Sequence, residues 1–588
     1  MKTKKKHLRS DLLPVILMTG VLPLVVKGQK VGVTLGKYSW FPDGSFQYDF
    51  FIYWKSILFL ILVGWMVVML IDRRIIRQLK FRHIRMCIPL LVYGGLTVLS
   101  TALSVDKDLS LKGMWQQYES VWVLLGYMIA VFYCMQVIES LKDVRMILTA
   151  TAAGAFVQGI LGLTQFTGKD FFSTEAGKTF LTFGMDSSVK EALRFHYGEN
   201  SEVYMASYTP DYAGIYLVVI FPIVFFLAVT AEKIWQKVLW SILFGILGIC
   251  LWGSGSRAGL LVAGILLITG TLFQVIRNKK QKSLIYGIVG ICLAAGLLIS
   301  YDLVNDHTIT KAVAEIFHKE SYDLTEIETE SDGVLLTYRQ NRIRITPETT
   351  DMGQILTATF NDESKDTAVW NTEKNCFVFE DTQYEDLEFD AYSQDSVQYL
   401  IMKNQEITWN FYKRPDSDCY VYINQYSKED TIQNAAAVWK GHEKALSGRG
   451  YIWGRTIPLI LKHLIWGSGP DTFAAEFPQT DYVMKANTGV GMYQQLPTKA
   501  HSLYLQTGLQ TGVLSLLCLM LFWGRYLFCF IKTFFGNKNK AAGGIKLAVF
   551  LGIAGFLFMG FLNDSNLAVS PVFWCLLGTG IAVEKIRE

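Results

Sequence analysis

Three residues pair a reactive side chain with a setting in which chemistry is possible. Arg257 lies in Trp252-Gly253-Ser254-Gly255-Ser256-Arg257-Ala258-Gly259, a polar turn between two long apolar runs. An arginine at bilayer depth costs about 2.5–3.5 kcal/mol on insertion scales, so it faces a cavity or a partner unless it snorkels to the headgroups. The glycines and serines around it let backbone approach a ligand and offer amide groups to an anion. Arg449 lies between two glycines in Ser447-Gly448-Arg449-Gly450-Tyr451-Ile452-Trp453, just past a helix predicted over Gln433–Leu446. Beyond it, Trp453, Ile457, Leu459, Ile460, Leu464, Ile465 and Trp466 predict an amphipathic helix in the membrane interface. That helix would hold Arg449 beside the outer headgroups, where pairing with lipid is its plain structural use. His501, in Ala500-His501-Ser502-Leu503, stands at the entry to an apolar run. Its imidazole can take a proton from a hydroxyl near neutral pH, although a histidine there can equally serve as a cap.

The elements that must position these residues are mostly membrane helices. Of 588 residues, 51% are hydrophobic and only 18% charged, against about a quarter charged in soluble domains. Apolar runs recur at Leu12–Val26, Phe51–Ile71, Cys87–Ser104, Val121–Ile138, Ile147–Phe166 and Tyr212–Ala231. Further runs occupy Val238–Trp252, Leu260–Ile276, Leu284–Ser300, Leu503–Ile531, Leu547–Leu562 and Leu567–Val583. Lys2 to Arg9, Arg73 to Arg85, Lys142 with Arg145, Lys233 with Lys237, and Arg277 to Lys282 all fall on one side of this alternation, as do Lys532 to Lys546 and Lys585 with Arg587. Positive charge marks the cytoplasmic side, so both termini are predicted inside. Trp40, Phe41 and Tyr48, before the second run, read as an interfacial aromatic belt.

The net charge of +4 hides a split. Tyr301 to Lys440 holds 27 Asp/Glu against 12 Lys/Arg, which leaves that segment at −15 and the remainder at +19. After a helix around Thr310–His318 it carries strand signals at Val334–Tyr338, Ile355–Phe360, Cys376–Phe379 and Tyr420–Ile423, which predict a small antiparallel sandwich outside the cell. The predicted fold is therefore an all-α polytopic membrane protein of about twelve transmembrane helices with an inserted extracytoplasmic β-rich domain. Its parts are a nine-helix bundle at 1–300, the acidic domain at 301–440, an extracytoplasmic loop at 441–502 and a three-helix bundle at 503–588.

Several function classes lack support. Basic clusters sit beside apolar runs and not among aromatics, so nucleic acid is not a predicted partner. No Cys/His spacing suits zinc and no acidic spacing suits a calcium loop. Seven of nine cysteines lie in apolar runs, and only Cys376 and Cys419 are placed where a disulfide is conceivable.

In order and topology, the Ser-Arg hairpin at 256–257, the Gly-Arg-Gly turn with Gly467-Ser468-Gly469, and Ala-His-Ser at 500–502 resemble the O-antigen ligase and O-antigen polymerase superfamily of bacterial membranes. Ligases of that family carry His followed by Asn, Ser or Gln, nine residues, then Gly-x-x-Gly. Here His501-Ser502, nine residues and Gly512 fit, while Ser515 replaces the second glycine, and the acidic domain departs from the common pattern. The resemblance implies a metal-independent glycosyltransferase without cofactor, working at the outer face of the cytoplasmic membrane. The donor would be a glycan on polyprenyl pyrophosphate, and the acceptor a glycan, a lipid-linked glycan or a protein. Arg257 and Arg449 would bind the pyrophosphate, and His501 would act as base on the acceptor hydroxyl. The competing expectation is a lipid-linked glycan flippase, whose polar residues would line a midplane path; here they crowd the outer face. A surface sensor is a further alternative, but the cytoplasmic loops are too short for an output domain.

Overall fold

In lipid, only helices and closed barrels satisfy their own backbone polar groups, and the apolar runs fold accordingly. Among the described residues of the computed structural model, six helices are long and apolar enough to cross a membrane: Tyr53–Ile76, Leu141–Phe166, Pro210–Thr230, Ile234–Gly253, Arg257–Arg277 and Val513–Phe535. Five shorter apolar helices, Ser10–Leu24, Ile88–Ala102, Val121–Val137, Gly543–Met559 and Ser570–Val583, lie on other predicted runs. The structure describes the chain apart from residues 1–9, 45, 279–287, 289–291, 293–294, 297, 351–352, 418, 490–495, 537–539, 585 and 587–588. The predicted run Leu284–Ser300 lies largely outside the described residues, as do the basic residues before Ser10 and at 279–282.

One predicted run divides. Leu503–Ile531 is two helices, Leu503–Thr511 and Val513–Gly536, parted at Gly512 with φ +90°. A Cβ at Gly512 would lie 2.2 Å from the Ile465 carbonyl oxygen, so the close crossing of two chain segments requires glycine there. The amides of Ser468 and Gly469 cap the first helix by donating to Leu509 and Gln510, and Val513 N donates to Leu464 O. The break therefore stitches the loop onto the membrane bundle.

The acidic segment forms two antiparallel sheets. Five strands run in chain order from Leu324–Thr329 to Ser364–Thr367, and seven from Val369–Asn371 to Glu429–Asp430. Alternate residues point inward, so Leu336, Ile345 and Leu356 meet Leu400, Trp409 and Phe411 in one core, the arrangement of a sandwich. Tyr482 and Val483, from the loop that follows, pack into that same core. Tyr482 also donates to Asp430 at 2.7 Å, and Asn487 to Leu324 O at 2.7 Å. The sandwich is thus fastened to the loop that carries Arg449 and His501.

Two local expectations are corrected. Residues 433–446 are not helical: Gln433 N donates to Thr480 O and Val438 N to Gly454 O, and Trp439 and Leu446 have positive φ, so helical i→i−4 bonding is lost. Trp40 and Phe41 form no lipid-facing belt; they are buried with Leu35, Leu109, Met114 and Ala474. Cys376, buried, and Cys419, exposed, are both free.

Candidate active site

Arg449 opens the helix Arg449–Lys462 instead of preceding it. Gly448 turns the chain with φ +83°, and a Cβ on Gly450 would meet His442 O at 2.0 Å. The two glycines therefore set the helix start, and the arginine sits where the helix dipole favours an anion. Its Nε donates to Leu562 O at 2.9 Å and its Nη1 to Leu446 O at 3.2 Å. The nearest carboxylate, Asp211, is 3.8 Å from Nη2 and half exposed. Ile457 and Leu461 on this helix, and Leu464, Ile465 and Trp466 in the turn that follows it, are exposed, an outward apolar face of the kind that lies in a membrane interface.

Arg257 begins the helix Arg257–Asn278 and is exposed. Its Nη1 donates to Ser447 Oγ at 3.3 Å, two residues before Arg449. The hairpin amides expected to meet an anion are used internally: those of Ser254 and Gly255 bond Cys250 O and Trp252 O, and those of Ser256 and Gly259 bond the hydroxyls of Ser254 and Ser256. Those four amides are therefore not free to meet an anion, and the Arg257 guanidinium is the exposed cation of the hairpin.

His501 has φ +49°, in the left-handed region, which costs a non-glycine residue about 1–2 kcal/mol. The flanks hold it there. Trp453 Nε1 donates to Ala500 O at 2.9 Å, Ala500 N to Gln506 Oε1 at 2.8 Å, and Ser502 N to Asp564 Oδ1 at 3.0 Å. The imidazole Nδ1 lies 3.3 Å from Asp564 Oδ2; the imidazole is 42% exposed and the carboxylate 2%. A proton carried on Nδ1 would face this carboxylate and would leave Nε2 with its lone pair.

The structure gathers all three residues on shared supports. Leu446 and Ser447 touch Arg449 and Arg257 respectively, and the turn after Met559 supplies Leu562 to Arg449 and Asp564 to His501. Sequence reading missed Asp564. Its signal was Asn563-Asp564-Ser565-Asn566, a polar tetrad in a hairpin otherwise flanked by apolar residues. It also missed Asp211 and the polar residues behind the imidazole: Lys499, whose Nζ donates to Tyr212 Oη at 2.5 Å, and Glu119, which accepts from Ser565 Oγ at 2.5 Å and Tyr127 Oη at 2.7 Å. Burial raises the Glu119 carboxyl above its ordinary range. Among the described residues, no three His, Cys, Asp or Glu side chains converge as metal ligands would.

Residues 399–520 match the sequence model of a family described as O-antigen ligase. The match spans about a fifth of the chain, from the later strands of the sandwich to the helix after Gly512, and includes Arg449 and His501. It bears out the resemblance to the O-antigen ligase and polymerase superfamily read from the motifs. No curated protein matches the chain.

Proposed function

Taking the O-antigen ligase match as premise, we propose that the chain transfers or polymerises a glycan carried on polyprenyl pyrophosphate at the outer face of a bacterial cytoplasmic membrane. In this reading about twelve helices cross the bilayer, both termini are cytoplasmic, and the sandwich with its loop is extracytoplasmic. The alternating basic clusters support that orientation. The observation that carries the reaction is the His501–Asp564 pair at 3.3 Å, with Arg449 and Arg257 held on adjoining turns.

His501 Nε2 accepts the proton of an acceptor hydroxyl as its oxygen attacks the anomeric carbon, and Asp564 stabilises the imidazolium that forms. The bond from that carbon to the pyrophosphate oxygen breaks, and the charge leaving with the lipid meets Arg257 and Arg449. Arginine's planar fork bonds phosphate oxygens in pairs, so two guanidinium groups supply the neutralisation without a metal. Attack opposite the leaving group inverts the sugar. Acceptors in this scheme are a growing glycan, a lipid-linked glycan or a protein side chain.

The test is transfer by purified, reconstituted protein with a lipid-linked glycan donor. His501→Ala is expected to slow transfer by about 10²–10⁴-fold, the usual contribution of a general base, while donor binding persists. Full activity in that variant would remove the base assignment. Electrophoresis of surface polysaccharide after gene deletion then separates the two chemistries: loss of long chains marks a polymerase, and chains stranded on lipid mark a ligase.

A further inference from the structure

The irregular segment before Arg449 carries an indole that the transfer scheme leaves unused. Trp439 is 38% exposed and has φ +62°, in the left-handed region that disfavours a bulky side chain. Its ring stacks on the His442 imidazole, with centroids 5.6 Å apart and planes at 23°. The backbone here is tied down without help from the indole: Val438 N donates to Gly454 O at 2.9 Å, and His442 N to Trp439 O at 3.2 Å. His442 Nδ1 is buried and has no hydrogen-bond partner among the described residues, so the imidazole serves here as a surface against the indole. A ring backed on one face and open to solvent elsewhere is a rigid platform, and its freedom is already lost on folding and not on binding.

The platform adjoins the arginines. His442 O lies so close to the helix opened by Arg449 that a Cβ on Gly450 would meet it at 2.0 Å. The amides of Gly450 and Tyr451 donate back to Ala445 O at 3.0 Å and Glu443 O at 2.8 Å. The same segment ends in Leu446 and Ser447, which hold Arg449 and Arg257. Its other neighbours are polar. Glu320 N donates to Gly441 O at 2.7 Å, Lys444 pairs with Glu320 at 3.0 Å, and Lys440, next in the chain to the indole, is exposed. An aromatic surface with hydrogen-bonding groups around it suits a ligand that is apolar on one face and polar at its rim.

Resting on the reading of Arg449 and Arg257 as the pyrophosphate site, we propose that Trp439, backed by His442, binds a sugar ring of the donor glycan. A sugar carries hydroxyls at its rim and C–H groups on its faces. Those C–H groups bear partial positive charge and meet the negative face of an indole. Covalent connectivity fixes where such a ring must be. The anomeric carbon is joined directly to the pyrophosphate, so a phosphate held at Arg449 brings the glycan within a few bonds of the turn that His442 touches. The guanidinium groups then read the anion, and the indole reads the ring attached to it.

The experiment compares two probes: polyprenyl pyrophosphate carrying one N-acetylhexosamine, and bare polyprenyl pyrophosphate. Full-length protein in detergent is titrated with each, and the bound fraction is read by native mass spectrometry. The parent is expected to prefer the sugar-bearing lipid by about tenfold, the upper end of what an aromatic stacking contact contributes. Trp439→Ala should lose that preference and leave the affinity for bare lipid unchanged, while Trp439→Phe, which keeps an aromatic face, retains most of it. Equal affinity of the parent for the two probes overturns the inference, as does an unchanged preference in folded Trp439→Ala. Equal weakening of both probes by Trp439→Ala also overturns it and assigns the indole to the lipid. Should Trp439→Ala fail to fold, Trp439→Leu is read by the same criteria. Arg449→Ala is a separate arm, expected to weaken both probes alike. If it binds both as the parent does while Trp439→Ala loses the sugar preference, the platform stands and the pyrophosphate reading of Arg449 falls.

Discussion

Arginine is used in two opposite ways in this molecule. At residues 72–82, the end of the helix Tyr53–Ile76 and the loop after it, arginine is consumed by structure. Arg73, 7% exposed, bonds Asp11 at 3.1 Å, Glu139 at 3.0 Å and Gln136 O at 3.0 Å, while Arg77 takes both oxygens of Asp11 and also Asp72. On the helix that Arg449 begins, Arg455 is treated in the same way. It is 3% exposed, bonds Asp481 at 2.6 Å, lies 3.8 Å from Glu443 and overlies the Tyr451 ring. Arg449 and Arg257 differ. Main-chain carbonyls and one serine hydroxyl hold them, and the single carboxylate near Arg449 is at 3.8 Å and half exposed. Carbonyls and hydroxyls fix a guanidinium in place without cancelling its charge. The first pattern builds a fold, and the second is the one that the proposed binding of pyrophosphate calls for.

Truncation should separate the two groups most sharply. Arg455→Leu leaves Asp481 and Glu443 buried without their guanidinium, and loss of one partner of a buried pair costs about 3–5 kcal/mol. The expected outcome is a greatly lowered melting temperature or failure to accumulate in the membrane. Arg449→Ala and Arg257→Ala remove no buried carboxylate's main partner, so they should melt close to the parent while losing transfer. Parent-like stability in Arg455→Leu, or unfolding of both alanine variants, would erase the distinction.

A gentler change sharpens it. Arg449→Lys and Arg257→Lys keep the charge but lose the paired donors. A hydrogen bond to a charged group contributes about 1.5–3 kcal/mol, so transfer should fall roughly 10- to 100-fold. Parent rates in both lysine variants would mean that the site reads charge alone and that the planar fork is irrelevant.

This contrast also shows what the sequence could convey. Apolar length and basic loops predicted the membrane helices, because both follow from local composition. The inward alternation at Leu336, Ile345, Leu400 and Phe411 likewise predicted a sandwich, since a strand's period survives in its sequence. Arg257, Arg449 and His501 were singled out through the glycines and apolar runs beside them. Asp564 was not, because its importance depends on a turn folding back by more than sixty residues to meet His501. Lys499 carries no local mark either: its partner Tyr212 lies nearly three hundred residues earlier, and only the fold brings the two together. The same limitation produced the error at 433–446. Helix-forming residues there lose their bonding to Thr480 and Gly454, and composition does not encode that competition. At Gly512 the apolar run continued, and the crossing with Ile465 that breaks it is a tertiary contact.

The smallest expected effect is the one that tests whether the two arginines suffice. If Arg257 and Arg449 together neutralise the leaving pyrophosphate, no divalent cation is needed for the bond to break. Chelation with EDTA should then leave the transfer rate of the reconstituted protein unchanged, and added Mg²⁺ or Mn²⁺ should not raise it. The measurement belongs with the lysine variants in the same assay. A metal bridging the phosphates would take over the charge those arginines supply, so their substitution would then cost little while chelation cost much. Insensitivity to EDTA together with a strong Arg→Lys penalty is the pattern that the uncompensated guanidinium groups require. Abolition of transfer by EDTA, restored by adding the cation back, would sink the arginine account and reduce Arg257 and Arg449 to headgroup contacts.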